Sequence, residues 1–270
     1  AFAVARLTRL PGLVSGGSVR FAGEDVLRFN KARLRAYRWR EVSFVFQSAM
    51  NALNPVIPIA EQIMDVIETH NPRLGQKGAR KRAMELFELV GIPPVRIDDF
   101  AHQFSGGMRQ RICIAIALAL NPRLIIMDEP TTALDVVVQR DIIEQIVELK
   151  SQLGFSVLFI THDLGLMIEF CDRIGVMYSG ELVEVAPSAS ILTNPQHPYT
   201  RALGNSIPPL TGPRVRMEGI AGSPPDLRAL PPGCRFAPRC PHAMDICHRE
   251  PPALRLHPET RIEAACHLLT

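Results

Sequence analysis

Long apolar segments are missing from this chain of 270 residues. The longest uninterrupted apolar run covers nine residues, 112–120, whereas a helix that crosses a bilayer needs about 20. The sequence therefore predicts no membrane-spanning helix. The first residues are apolar, but no basic segment precedes them as it would in a signal peptide. We expect a helix at residues 1–10 instead.

The sequence also lacks a strong excess of either charge. Thirty Lys and Arg residues against 27 Asp and Glu residues leave a formal net charge of +3, and a nucleic-acid binder would show a dense basic stripe. Hydrophobic residues make up 47% of the chain and charged residues 21%, which is ordinary for a globular protein with a buried core. We therefore expect a folded protein without a nucleic-acid partner.

Prolines divide the chain into two regions of different composition. Up to residue 185, apolar segments with strand and helix patterns alternate, and beyond it prolines become frequent. Because proline breaks helices and central strands, the second region should consist largely of loops. The sequence predicts a main domain at residues 1–185 and an irregular extension at residues 186–270.

A strand, a helix and a second strand follow one another in the main domain. Residues 124–127 are a continuous apolar run, which is typical of a strand buried on both faces. Residues 156–160 predict a second strand, with four apolar residues after Ser156. Residues 136–153 between them carry apolar side chains at helical spacing. This order forms a βαβ unit, in which the two strands are parallel. We predict an α/β fold with a parallel sheet.

Further elements surround this unit. Amphipathic helices are predicted at residues 60–70 and 78–90, which places a helical subdomain at about residues 48–120. Residues 173–185 predict two strands joined by a tight turn. An antiparallel portion near the N-terminus completes the expected core.

Two carboxylates follow the strand at residues 124–127. Asp128 and Glu129 stand at its carboxyl end, the edge at which parallel sheets bind ligands. An aspartate there can hold Mg²⁺ on a nucleotide phosphate, and a glutamate after it is placed to polarise an attacking water. Alone this pattern is weak, because a solvated loop at a strand end looks the same.

A serine and two glycines precede a long apolar helix. Ser105, Gly106 and Gly107 lie directly before it, and backbone N–H groups at a helix N-terminus bind phosphate oxygens. A simple turn with a serine cap is the alternative. The motif gains specificity because Asp128 and Glu129 follow it in the chain.

Two further residues stand at strand ends. Gln47 ends a short strand at residues 44–47, and His162 follows the strand at residues 156–160. Because parallel strands end at the same edge, His162 should lie on the same side as Asp128, where it can sense a γ-phosphate. For a lone histidine, a satisfied structural role is the alternative.

In this order and spacing the motifs resemble the nucleotide-binding domain of ABC transporters. The matching residues are Gln47 for the Q-loop, Ser105, Gly106, Gly107, Met108 and Gln110 for the signature, Asp128 and Glu129 for the Walker B pair, Asp135 for the D-loop and His162 for the switch histidine. The resemblance covers the chain up to about residue 185. It implies a P-loop NTPase (RecA-like) parallel sheet core with an inserted helical subdomain and a loop-rich C-terminal extension.

The resemblance also implies an ATPase that uses ATP and Mg²⁺. Glu129 would polarise the attacking water and His162 would contact the γ-phosphate. Asp128 and Gln47 would hold Mg²⁺. The signature residues and Asp135 would contact nucleotide, the signature acting across a dimer on the ATP of a second subunit.

Two segments resemble the oligopeptide/dipeptide branch of these transporters. They are Ala-Leu-Asn-Pro at residues 52–55 and Gln-His-Pro-Tyr-Thr-Arg at residues 196–201. This resemblance implies a second ABC ATPase subunit and two membrane-spanning permease subunits as partners, with a peptide-binding protein taking part indirectly. It also implies a peripheral position on the cytoplasmic face of the membrane.

One motif of the family does not occur in the sequence. Gly-x-x-x-x-Gly-Lys-Ser/Thr, whose amides and lysine cradle the phosphates, is absent from the 270 residues. Residues 1–10 resemble the helix that follows this motif, so we expect either a fragment of an intact ATPase or a truncated protein. A truncated protein would be a non-catalytic partner that supplies only its signature in trans. A soluble ABC protein outside transport is a third alternative, which the segment at residues 196–201 disfavours.

Four cysteines fall within the proline-rich extension. They are Cys234, Cys240, Cys247 and Cys266, with five, six and eighteen residues between successive members. Nearby thiols in a segment with little core suggest a staple, and the implied cytoplasmic location argues against disulfides. Zinc usually takes closer cysteine pairs, so the wider gaps favour a 4Fe–4S cluster. Similar cysteines occur in some peptide-importer ATPases, while zinc and unliganded thiols stay open alternatives.

Overall fold

Two units make up the chain, Ala1–His162 and Asp163–Thr270. The computed structural model describes residues 1–46, 52–132, 134–206, 219–258 and 260–269. Within these ranges, none of the helices has both the length and the apolar composition of a membrane span. The division at residue 162 follows spatial contacts, whereas the boundary at residue 185 followed composition, and the assignment of domains from sequence stays a prediction.

Helices and strands alternate in the first unit. Its strands are β1 (Arg20–Phe21), β2 (Glu24–Asp25), β3 (Val42–Val45), β4 (Leu124–Asp128) and β5 (Ser156–Ile160). Its helices are α1 (Lys31–Tyr37), α2 (Ile59–His70), α3 (Gly75–Leu89), α4 (Gly106–Ala117) and α5 (Val136–Leu153). The helices predicted at residues 60–70, 78–90 and 136–153 are confirmed, and α5 has the predicted bounds.

A parallel sheet forms the centre of this unit. Its strands run in the order β3-β4-β5, and both neighbours of β4 are parallel to it. Ile125, Ile126 and Met127 of β4 are fully buried, which explains why this strand reads as a continuous apolar run. The predicted parallel α/β sheet is confirmed.

Capping residues fix the ends of the helix between β4 and β5. The side chain of Asp135 accepts the N–H of Val138 at 3.0 Å and caps the start of α5. The helix ends at Leu153, and the following Gly154 has a φ of 72°, in the left-handed region that glycine adopts without strain. Between these ends, Ile142, Ile143 and Ile146 are buried on one face.

The helix expected at residues 1–10 is not formed. Residues 2–6 form turns, closed by hydrogen bonds from Val4 N to Ala1 O and from Arg6 N to Ala3 O, each 3.1 Å. Arg6 has a φ of 51°, a left-handed conformation that interrupts a right-handed helix. A short segment also gains too few hydrogen bonds to offset helix nucleation. The antiparallel portion expected nearby is the β1–β2 pair.

The second unit contains an antiparallel sheet. Its strands are β6 (Arg173–Tyr178), β7 (Glu181–Pro187), β8 (Arg255–His257) and β9 (Ile262–Ala264), in the order β6-β7-β9-β8. Its helices are α6 (Leu164–Phe170), α7 (Ser188–Thr193), α8 (Pro198–Asn205) and α9 (Asp245–Arg249). The predicted β6–β7 turn is confirmed, and the pairing of β9 with β7 was not foreseen.

A buried carboxylate attaches the start of α8 to this sheet. Glu184 in β7 is fully buried, and its two oxygens accept the backbone N–H groups of Gln196 at 3.0 Å and His197 at 2.8 Å. Both side-chain oxygens therefore have donors, as buried polar groups require. The segment at residues 196–201 is thus fixed to β7 by hydrogen bonds.

We predict that Glu184→Ala lowers the free energy of unfolding by at least about 2 kcal/mol, because two backbone N–H groups lose their acceptor and unsatisfied buried donors cost about 1–3 kcal/mol each. Glu184→Gln keeps one acceptor oxygen and should lose less. Urea denaturation followed by circular dichroism measures both variants. A Glu184→Ala midpoint equal to that of the parent protein would contradict this role.

Candidate active site

The ends of β4 and β5 bring two predicted catalytic side chains together. Asp128, the last residue of β4, pairs with Ile160 at the end of β5. The N–H of Glu129 then donates to the carbonyl of Ile160 at 2.9 Å. This bond extends the pairing of the two strands beyond the end of β4. It places Glu129 beside His162.

Both oxygens of the Glu129 carboxylate have partners. Oε1 lies 2.8 Å from Nδ1 of His162, and Oε2 accepts the hydroxyl of Thr132 at 2.7 Å. The Glu129 side chain is 18% exposed and that of His162 is 76% exposed. The carboxylate is therefore held in a fixed orientation, while the imidazole is accessible to a ligand.

Hydrogen bonds keep the Glu129 carboxyl group ionised. Burial raises its pKa, but the hydrogen bonds from His162 and Thr132 lower the pKa by more, so the result lies below the ordinary value for glutamate. At neutral pH Glu129 is a carboxylate. This is the state that can accept a proton from a water molecule.

The backbone of Glu129 adopts an unusual conformation. Its φ is 49°, in the left-handed region that residues other than glycine seldom adopt. Such a conformation costs about 1–3 kcal/mol and persists where the surrounding structure enforces it, often at functional sites. Here the bonds to Ile160 and Thr132 hold the residue in place.

The predicted signature lies at the N-terminus of α4. The hydroxyl of Ser105 accepts the N–H of Met108 at 3.3 Å. Ser105 therefore caps the helix, as the alternative of a simple turn with a serine cap predicts. Gly107 packs tightly, because a Cβ atom there would lie 2.7 Å from Cγ1 of Val138. The start of α4 therefore rests directly on the start of α5. Phosphate binding by Ser105, Gly106, Gly107 and Met108 stays a prediction.

The remaining predicted nucleotide contacts have varied surroundings. Gln47 lies outside the described residues. Gln110 is only 2% exposed, and its Nε2 has no hydrogen-bond partner in the described part of the chain. Asp135 caps α5, and Asp128 ends β4. Contact of these residues with nucleotide or Mg²⁺ stays a prediction, although a carboxylate at a strand end is a suitable oxygen ligand for Mg²⁺.

The roles of two threonines were not foreseen. Thr132 donates to Glu129, and Thr131 accepts a hydrogen bond from Nε2 of Gln139 at 3.2 Å. The second bond ties the loop after β4 to α5. A hydroxyl residue three positions after the glutamate is the only sequence signal for the first contact, and it is too common to be specific.

The four cysteines of the extension line one small cavity. Cys234, Cys240, Cys247 and Cys266 surround a volume of about 10 Å³, and all four are free thiols. Burial raises the pKa of the Cys266 thiol, and the neighbouring cysteines raise it further. The fold has therefore brought together thiols that are distant in the sequence.

A glycine allows two of the cysteine-bearing segments to approach each other. A Cβ atom at Gly233 would lie 2.3 Å from the carbonyl oxygen of Cys247, and the N–H of Cys234 donates to that oxygen at 2.8 Å. Nevertheless, no three His, Cys, Asp or Glu side chains in the described ranges form a group that could hold a metal ion. The predicted iron–sulfur ligands therefore share a cavity without forming a ready-made metal site.

Two family models match different parts of the chain. The model described as ABC transporter matches residues 6–132. The model described as the C-terminal region of oligopeptide/dipeptide transporters matches residues 183–247. The first match includes the signature and the Glu129 loop, and the second includes Glu184 and three of the four cysteines.

Solved ATP-binding cassettes share the fold. A dimeric cassette in a post-hydrolysis state, with ADP and Pi bound, has a TM-score of 0.57 and 28% identity, covering 64% of this chain and 74% of that one. The cbiO1 protein of Clostridium perfringens, part of an ABC transporter complex, has a TM-score of 0.58 and 26% identity, covering 67% and 69%. The fold is that of an ATP-binding cassette.

Relatives in sequence agree with this class. A putative peptide import ATP-binding protein of Brucella abortus is 47% identical over 89% of this chain and 73% of its own length. The oligopeptide transport ATP-binding protein AppD of Bacillus subtilis is 44% identical over 93% of this chain and 76% of its own length. The dipeptide transport ATP-binding protein DppD of the same organism is 42% identical over 87% of this chain and 71% of its own length. The chain belongs to the oligopeptide/dipeptide family of ABC transporter ATP-binding proteins.

Removing the hydroxyl of Thr132 should raise the pKa of Glu129. Thr132→Val deletes one of the hydrogen bonds that offset the effect of burial, whereas Thr132→Ser keeps the hydroxyl and should leave the pKa nearly unchanged. Carbon-13 NMR titration of the glutamate carboxyl carbons measures the difference. The attribution to Thr132 fails if the valine and serine variants titrate alike.

The contact of Gly107 with Val138 predicts a steric clash on substitution. Gly107→Ala should lower the free energy of unfolding by about 1–3 kcal/mol, the usual cost of overpacking. Adding Val138→Ala to this variant should restore much of the lost free energy of unfolding, because it removes the Cγ1 atom that the new Cβ would meet. Gly16→Ala is the control, because no atom lies within 4 Å of that Cβ position. Thermal denaturation gives the comparison, and equal losses at both glycines would refute the clash.

Proposed function

We propose that this chain forms the ATP-hydrolysing part of a subunit that drives peptide import by an ABC transporter. The observation that carries the proposal is the Glu129 carboxylate, oriented by Thr132 and His162 at the end of the parallel sheet. The peptide transport names of the relatives supply the substrate class.

The geometry suggests how Glu129 and His162 act on ATP. Glu129 is ionised and only partly exposed, so it can orient a water molecule and accept its proton as the oxygen attacks the γ-phosphate. The exposed His162 would leave Glu129 to contact the γ-phosphate. Asp128 and Gln47 would hold Mg²⁺, which when bound neutralises charge on the phosphate oxygens.

The proposed partners follow from the same family. Ser105, Gly106 and Gly107 would complete the ATP site of a second ABC ATPase subunit, since a helix N-terminus binds phosphate oxygens. Two membrane-spanning permease subunits would dock against the helical subdomain, with a peptide-binding protein acting through them. The subunit would lie peripherally on the cytoplasmic face of the membrane and bind no nucleic acid.

The alternatives are less consistent with the site. A non-catalytic partner that supplied only its signature would have no need for an ionised and oriented Glu129, which this chain retains. An ABC protein outside transport would not be expected to carry the oligopeptide/dipeptide C-terminal region that matches residues 183–247.

For the extension, we infer that the four cysteines hold a 4Fe–4S cluster as a structural staple. The support is their shared cavity and the close backbone approach at Gly233. A cluster takes four thiolates that are farther apart than the ligands of one zinc ion. Zinc and unliganded thiols are the alternatives, and iron, sulfide and zinc analysis of the purified protein separates all three.

Replacing Glu129 by glutamine should abolish hydrolysis without abolishing binding. In the protein purified from its host with its membrane subunits, Glu129→Gln should reduce ATP turnover at least about 100-fold, the usual contribution of a general base. Binding of ATP should persist, because the side chain keeps its size and its acceptor oxygen.

The matched control for this variant is Glu144→Gln on the exposed face of α5, where Glu144 forms an ion pair with Arg140 one turn earlier in the helix. Its turnover should equal that of the parent protein. Phosphate release measures turnover, and a fluorescent ATP analogue measures binding. Undiminished hydrolysis by Glu129→Gln would contradict the assignment of the base.

A further inference from the structure

His197 is a buried histidine in the lining of the cysteine cavity. It is 1% exposed and lines the cavity together with Cys234, Cys240, Cys247 and Cys266. Its backbone N–H is held by Glu184 at 2.8 Å. Its ring also packs against Phe236, with the ring centroids 5.9 Å apart. The position of the imidazole is therefore fixed by the fold.

A hydrogen bond defines which ring nitrogen carries the proton. Nδ1 of His197 accepts the backbone N–H of Tyr199 at 3.0 Å and thereby caps α8. A nitrogen that accepts a hydrogen bond cannot carry the proton, so in the neutral imidazole the proton lies on Nε2. The helix cap thus makes Nε2 a hydrogen-bond donor on the part of the ring that is not engaged with α8.

The other histidines at this cavity are differently engaged. Nε2 of His267 lies 2.9 Å from the carbonyl oxygen of Glu250, a bond in which the nitrogen must be the donor. His242 is exposed to solvent. His197 therefore combines burial, a fixed ring and a defined donor nitrogen, and it lines the cavity that the thiols share.

We propose that His197 is a positioning residue that donates its Nε2–H to a cysteine sulfur of the metal centre and so raises the reduction potential of that centre. The proposal rests on the cluster proposed for the four cysteines. An N–H donor stabilises the additional negative charge of the reduced cluster more than it stabilises the oxidised form. The same histidine would then cap a helix through one nitrogen and tune the cluster through the other.

Two substitutions separate these two roles. His197→Asn places an acceptor oxygen near the position of Nδ1 and should keep the cap, but it has no group at the position of Nε2. His197→Gln places an amide N–H near the position of Nε2 but caps poorly. His197→Asn should therefore be the more stable of the two variants, and His197→Gln should have the higher reduction potential.

The experiment uses the whole chain, reconstituted anaerobically with ferrous iron and sulfide. Iron and sulfide content gives the loading, thermal denaturation gives stability, and a redox titration followed by electron paramagnetic resonance gives the midpoint potential. We expect a lower potential for His197→Asn at parental loading and near-parental stability. His197→Gln should retain most of the parental potential while losing stability.

Two results would overturn the proposal in different ways. If His197→Asn and the parent protein have the same potential at equal loading, or if both variants lower it equally, the hydrogen bond to sulfur is refuted and the cluster stands. If the parent chain takes up no iron and sulfide, the metal centre itself is refuted. Neither result bears on ATP hydrolysis, which depends on Glu129.

Discussion

The hydrogen bond from the Glu129 amide to the Ile160 carbonyl is the contact on which the candidate active site depends. It carries the β4–β5 pairing one residue beyond the strands, and this is why Glu129 and His162 come within hydrogen-bond distance. The left-handed backbone of Glu129 is the cost of this arrangement. The parallel sheet therefore does more than form a core, because its register fixes the relative position of Glu129 and His162.

Competing electrostatic effects determine the state of that site. Burial alone would favour a protonated Glu129, and the donors His162 and Thr132 reverse this preference. In the second unit, two backbone N–H groups donate to the two side-chain oxygens of the fully buried Glu184. In both places, hydrogen bonds to both side-chain oxygens fix the orientation of the carboxyl group.

The elements that the sequence predicted well have strong local signals. β4 is a continuous apolar strand, and α5 is flanked by an aspartate cap and a glycine, so both were predictable. The position of His162 at the same edge of the sheet as Asp128 was predictable as well. The N-terminal helix was wrongly predicted, because its apolar composition did not reveal the left-handed Arg6. The cavity shared by the four cysteines depends on the tertiary approach at Gly233, which spacing alone does not specify.

The most direct test is a structure of the protein purified from its host, with Mg²⁺ and a γ-phosphate mimic bound to ADP. The account predicts a water molecule within hydrogen-bond distance of the Glu129 carboxylate and in line with the mimic, with His162 turned from Glu129 toward the mimic. A nucleotide bound away from the ends of β4 and β5, with the Glu129–His162 pair unchanged, would contradict it.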